Sequence, residues 1–201
     1  GGAGIVVGGQ VAGMEADGGN PQKLTENQDV FSLNLSADGR EIFYTARAES
    51  IYTQTLWRME ADGRNARQLT EKTTLLPRIS PDGKSIACYY PDEENRQLTL
   101  TLLSTADGAV LSQISPPSKG EGLSLFDWSK DGRSLYLAVR KTTGTVLWQQ
   151  PTDGRVSVKL KEWPNETVFR LNVSRDGRSL FYEKGVTANN VILLRDVSGE
   201  N

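Results

Sequence analysis

The sequence predicts an all-β protein assembled from similar four-stranded antiparallel units. Three observations carry the prediction. A phrase of the form Ser-x-Asp-Gly recurs four times along the 201 residues. A second Asp-Gly series interleaves with it at the same period. Apolar residues also keep fixed offsets from both series and alternate as strand side chains do.

The first series reads SADGREI at 36–42, SPDGKSI at 80–86, SKDGRSL at 129–135 and SRDGRSL at 174–180. Its aspartates, Asp38, Asp82, Asp131 and Asp176, are separated by steps of 44, 49 and 45. The second series, Asp17, Asp62, Asp107 and Asp153, has steps of 45, 45 and 46. Three residues before each first-series Asp stand Leu35, Ile79, Trp128 and Val173. Four after it stand Ile42, Ile86, Leu135 and Leu180, and six after it Tyr44, Cys88, Leu137 and Tyr182. Seven after each second-series Asp stand Leu24, Leu69, Ile114 and Leu160. The turn residues have a local reason to recur. An Asp carboxylate accepts hydrogen bonds from backbone N–H groups just ahead of it, and Gly takes positive φ without steric cost. Asp38–Gly39, Asp82–Gly83, Asp131–Gly132 and Asp176–Gly177 therefore read as structural turns, each helped by its Ser hydroxyl.

Within each unit, strand A runs into the Ser-x-Asp-Gly turn as FSLNLS, LLPRIS, LFDWS and FRLNVS. Strand B leaves it as EIFYTA, SIACYY, SLYLAV and SLFYEK. Strand C approaches the second Asp-Gly as TLWRME, LTLTLLS and TVLWQQ, and strand D follows as ARQLT, VLSQI and VSVKL. The β-branched and aromatic content with regular turn signals marks strands, and no stretch holds a helical apolar stripe. Four-stranded units of this length match the blade of a β-propeller. Residues 1–201 form one propeller domain or part-domain. It has complete blades at 28–70, 71–115 and 119–161, a partial blade at 4–25, and a last blade at 163–197 lacking its outer strand, about four to five blades in all. VILLRDV supplies strand C of that last blade.

Composition excludes whole classes of chemistry. There is no histidine, which removes Ser-His-Asp and Cys-His catalysis and His-ligated zinc. Cys88 is alone, so no internal disulfide forms. A net charge of −2 with interspersed signs gives no nucleic-acid footprint, and no apolar run reaches the ~20 residues that span a bilayer. The start, GGAGIVVGGQVAG, has neither the plan of a signal peptide nor an initiator Met, and reads as a processed or cut-out segment. It is no P-loop, since no Lys follows its glycines. The acidic stretch Asp92-Glu93-Glu94 and Glu121 read as solvated loops rather than a carboxylate pair. The repeated aspartates lack the spacing of a calcium loop. Ser36, Ser80, Ser129 and Ser174 lie in no nucleophile elbow. Sequons begin at Asn34, Asn165 and Asn172, two of them inside the repeat. No catalytic residue, cofactor site or metal site is expected.

SPDGKSI, with the apolar strand before it and ADGRNARQLT or ADGGNPQKLT after, resembles the WD40-like (PD40) repeat of bacterial TolB-type β-propellers. Pro81 is the only Pro in that turn, and Trp128 alone supplies the Trp that the family often places before its Ser. The family usually has six or seven blades, so the resemblance implies a fragment of a larger ring. A closed four-bladed ring and an open edge that pairs with another chain stay open as alternatives. It also implies a periplasmic or extracytoplasmic setting and a non-catalytic binding or scaffolding role toward a protein or peptide partner, as the sensor portion of a larger bacterial protein. Two alternatives are an accessory propeller of a prolyl-oligopeptidase-like peptidase and a carbohydrate-active propeller with carboxylates converging at one tunnel mouth. Amphipathic aromatics are the candidate partner contacts, with packing between blades as their other use: Tyr52, Trp57, Tyr89, Tyr90 and Trp148. With Trp163 they are expected on strands B and C or in connections. The B–C loops differ most between units, and recognition is expected at these loops and at the funnel mouth.

Overall fold

A computed structural model describes residues 3–7, 9–15, 17–26, 28–48, 53–92, 94, 97–115, 117, 122–174 and 176–186. Among them it contains seventeen β-strands and no helix. Three sheets are four-stranded, antiparallel and ordered as in the chain. The first holds β4 (Val30–Leu35), β5 (Glu41–Arg47), β6 (Gln54–Glu60) and β7 (Arg67–Gln68). The second holds β8 (Leu75–Ile79), β9 (Ser85–Pro91), β10 (Leu98–Ser104) and β11 (Val110–Ile114). The third holds β12 (Leu125–Trp128), β13 (Ser134–Lys141), β14 (Gly144–Pro151) and β15 (Val158–Pro164). Four-stranded antiparallel sheets of this kind are what the predicted fold class requires.

The flanking sheets differ from expectation in instructive ways. At the N-terminal side, β2 (Gln10–Met14) and β3 (Gln22–Lys23) are joined by an unforeseen strand, β1 (Ala3–Val7), which pairs with β2 from Ala3↔Met14 to Val7↔Gln10. Its sequence, AGIVV, is framed by glycines, yet its last three residues are β-branched strand formers. At the other side β16 (Thr167–Val173) and β17 (Leu180–Gly185) form a two-stranded sheet. The predicted strand VILLRDV falls outside the described residues. β15 runs on to Pro164, so Trp163 sits in a fourth strand rather than in a second, third or connecting segment.

The first strands of successive sheets, β4, β8, β12 and β16, touch one another in chain order, and the remaining strands fan outward. The core lies between sheets, not within them. Val11 meets Ile42, Tyr44 and Met59; Phe43, Leu56 and Leu69 meet Ile86, Cys88 and Leu103. Tyr89, Leu100 and Ile114 meet Phe126, Trp128 and Leu137; Leu147 and Trp163 meet Val168 and Leu171. This explains why strand B is apolar at consecutive positions. Neighbouring side chains point to opposite faces, and each face packs on a different blade. Phe43 faces the following blade and is 1% exposed, whereas Phe181, its equivalent on β17, is 62% exposed.

One repeated apolar position escapes this scheme. Leu24, Leu69 and Ile114 join the packing, but Leu160 is exposed. The register of β14 with β15 jumps from Leu147↔Lys161 to Trp148↔Lys159, leaving Leu160 as the extra residue of a bulge.

Candidate functional site at the inner-strand mouth

Strand direction gives the molecule two unlike ends. Both Asp-Gly series lie at one end, and the four first-series turns are nearly copies of each other. In each, Ser Oγ donates to Asp Oδ1 at 2.6–2.7 Å, as at Ser36–Asp38, Ser80–Asp82, Ser129–Asp131 and Ser174–Asp176. The same carboxylate oxygen accepts the N–H of Arg40, Lys84, Arg133 or Arg178 at 3.0–3.1 Å. Gly39, Gly83, Gly132 and Gly177 take φ of 67–73°. The Ser hydroxyl first, then the backbone N–H, holds each of these Asp carboxyls below the usual carboxylate range. One oxygen of each carboxylate is thus committed to the turn. Asp62, Asp107 and Asp153 do the same work between the third and fourth strands. A catalytic reading of these carboxylates has no geometric support, and among the described residues no group of three or more His, Cys, Asp or Glu side chains is placed to hold a metal.

The opposite end carries the variable connections and the starts of the inner strands. Three of those strands bulge there. Pairing skips between Val30 and Ser32 on β4, between Leu75 and Arg78 on β8, and between Val168 and Arg170 on β16. Each bulge turns a large apolar side chain out of the packing: Phe31 is 46% exposed, Leu76 38% and Phe169 43%. Leu76 has φ of +52°, a left-handed conformation that is strained for a bulky residue. Between β8, β12 and β16 lies a cleft of about 230 Å³ with Leu76, Leu125, Phe126 and Phe169 among its apolar walls. Arg78 and Arg170 also line it, and no carboxylate of the described residues does. Arg47 stands over the Phe31 ring at 5.8 Å and pairs with Asp29 at 3.0 Å.

The aromatic candidates occupy other places. Tyr52 lies outside the described residues. Trp57 is partly buried, stacks on Tyr44 with ring centroids 6.2 Å apart, and donates its Nε1–H to Thr55 at 3.0 Å. Tyr89 is buried; its hydroxyl accepts from the Ser124 N–H at 2.7 Å and donates to the Ser124 carbonyl at 3.1 Å. Tyr90 packs beside the Cys88 cluster. Trp148 packs beside Leu135 and Leu137 and lines a second cleft, of about 520 Å³, with Pro117, Pro151 and Val156. None of the four described candidates, Trp57, Tyr89, Tyr90 and Trp148, lines the inner cleft. Phe31, Leu76 and Phe169 escaped the sequence reading because a bulge is a property of strand pairing. Pro77 is the one clue, since Pro inside a strand belongs at an edge or a bulge. Cys88 is buried, which pushes its thiol up to about 12 and leaves it inert.

No protein-family model matches the sequence, and no curated protein does. Solved structures do. A protein assigned as TolB from Agrobacterium tumefaciens aligns over 90% of this chain and 65% of its own, at 17% identity and a TM-score of 0.72. TolB from Acinetobacter baumannii aligns over 87% of this chain and 47% of its own, at 15% identity and a TM-score of 0.60. The fold is a TolB-like β-propeller. The β-propeller domain of the Trilobed protease from Pyrococcus furiosus, described as having an open velcro topology, also matches over 72% of this chain and 46% of its own, at 20% identity and a TM-score of 0.53. This propeller spans less than two thirds of each of the three structures.

Proposed function

We propose that the chain is a non-catalytic propeller that binds a protein or peptide partner at the inner-strand mouth, as part of a larger protein. One observation carries the reading: bulges on three inner strands expose Phe31, Leu76 and Phe169 at one end, those of β4 and β16 at the same distance from the turn and that of β8 one residue nearer it. Propeller inner strands need no bulge to pack. Bulges that re-aim side chains recur next to active sites, and the apolar residues they expose stand at the end that carries the connections between second and third strands, which vary most in sequence from blade to blade. The TolB matches support a binding module, and the hydrogen bonds of the turn carboxylates to their own hairpins support a structural role for the other end. The match to a protease propeller favours a second reading, in which the mouth guides a peptide toward a separate hydrolase domain.

A phage-displayed random-peptide selection against the immobilised protein tests the first reading. Enriched peptides are expected to bind the wild type and to lose tenfold or more against a Phe31→Ser, Leu76→Gly, Phe169→Ser variant that melts as the wild type does. Absence of enrichment, or equal binding to the variant, overturns it.

A further inference from the structure

The cleft between β8, β12 and β16 has features that a general apolar mouth does not require. Its floor is apolar, with Phe126 and Leu171 buried and Leu76 and Phe169 half-exposed above them. Its charged lining is purely cationic. Arg78 Nη1 donates to the Pro77 carbonyl at 3.1 Å, and no carboxylate of the described residues pairs with Arg78. Among the described residues only one of its five N–H donors is engaged. Arg170 meets Glu183 only at 3.5 Å, with both side chains exposed, a pairing that contributes little and is readily exchanged.

Size then narrows the occupant. A cleft of about 230 Å³ is smaller than the ~300–1,000 Å³ pockets that hold drug-sized ligands. It takes a single amino-acid residue, not a stretch of chain. That residue must present an apolar side chain and a negative charge together. An internal Asp or Glu has the charge but not the apolar group, and an internal Leu or Phe has the reverse. The C-terminal residue of a polypeptide carries both on one Cα.

We infer that this cleft captures the C-terminal residue of a peptide partner, an apolar side chain on its floor and the terminal carboxylate at the guanidinium rim of Arg78 and Arg170. The inference rests on the peptide-binding reading above and names the chemistry of the part bound. Guanidinium–carboxylate bonds are stronger than neutral ones and orient the carboxylate. The strained Leu76 fits the scheme: its backbone is left-handed, and its side chain lines the same cleft as Arg78.

Fluorescence anisotropy with N-terminally fluorescein-labelled hexapeptides ending in Leu or Phe tests it. The free-acid peptides are expected to bind, and the C-terminally amidated forms to bind on the order of tenfold more weakly or worse, the cost of losing a charge-assisted pair. Arg170→Gln and Arg78→Gln are each expected to weaken the free acid while leaving the amide unchanged. Arg78→Lys restores part of the loss. Both variants are checked by thermal melting, and Arg170→Gln, at an exposed site, carries the test if Arg78→Gln unfolds. Equal affinity of acid and amide, with both lost in the Leu76→Gly, Phe169→Ser variant, overturns the carboxylate inference and keeps the peptide-binding reading. An amidated peptide with penultimate Glu that binds as well as the free acid overturns the choice of the terminus. Absence of binding by either form overturns the inference. If selected library peptides also ignore the Phe31, Leu76 and Phe169 changes, the peptide-binding reading falls with it.

Discussion

Replacing Tyr89 by Phe removes one oxygen and leaves every other contact in place. The ring keeps its edge-on packing against Phe126, with centroids 5.8 Å apart at 63°. What disappears is the pair of hydrogen bonds to the backbone of Ser124, at 2.7 and 3.1 Å, in the segment that leads into β12. Tyr89 and Ser124 are both buried, so the freed N–H and C=O of Ser124 gain no water. A hydrogen bond contributes about 1 kcal/mol net, and a buried group left unpaired costs about 1–3 kcal/mol. Removal of the Tyr hydroxyl, itself desolvated, offsets part of that, giving an expected loss of about 2 kcal/mol. For a domain of this size the melting temperature should fall by roughly 4–8 °C. Urea unfolding followed by Trp fluorescence measures it, with a lower midpoint and an unchanged slope. Tyr136→Phe is the control, because its hydroxyl makes no hydrogen bond among the described residues. A change below about 0.5 kcal/mol at Tyr89, the range of neutral surface substitutions, would refute the view that this tyrosine pins two blades together.

Three further outcomes are expected. Gly39 and Gly108 both have positive φ, but a Cβ at Gly39 meets open space while one at Gly108 would lie 2.1 Å from the Leu69 carbonyl oxygen. Gly39→Ala should cost about 1–2 kcal/mol and Gly108→Ala clearly more, as read by urea melts. The turn aspartates have folded pKa values below their unfolded ones, so below the unfolded value of about 3.9 the unfolded state takes up more protons. Their stabilisation is therefore present above that pH and lost as pH falls through the lowered folded values; melting temperature plotted from pH 7 to 2.5 should show the drop, and Ser129→Ala should flatten it. The Cys88 thiol should resist a thiol reagent in buffer and react fully in urea; rapid labelling of the native protein would contradict its burial.

The strands of the three complete blades were legible because their information is local. Asp at one position, Gly at the next and an apolar residue four and six later specify a turn and the face of a strand without reference to anything distant. Trp128, which donates its indole N–H across to the Arg78 carbonyl at 2.9 Å, and Tyr89, bonded to Ser124, could be recognised only as aromatic. Their partners lie 50 and 35 residues away. The exposed Leu160, Phe31 and Phe169 show the same limit from the other side. Each has the composition of a core residue, and a one-residue slip in pairing decides that it faces water. β1 was missed for a different reason. Its strand formers are few and flanked by glycine, and pairing with β2 supplies what propensity lacks.

Placing the core between blades has a consequence for how the molecule comes apart. A blade lifted from its neighbour takes no private nucleus with it, because the side chains of Phe43, Ala87 or Ala138 are sheltered only by the next sheet. Cooperativity is then nearest-neighbour in kind. Loss of β16 and β17 would wet Trp163 and Leu147 and loosen β12 through β15, much as removing one book lets the shelf lean. Amide exchange should accordingly be slow in β9 and β10, which are sheltered on both sides. The mouth at the inner strands spans two such interfaces, with Leu76 on one blade, Phe126 on the next and Phe169 on the third. A ligand seated there would tie three separately packed blades together.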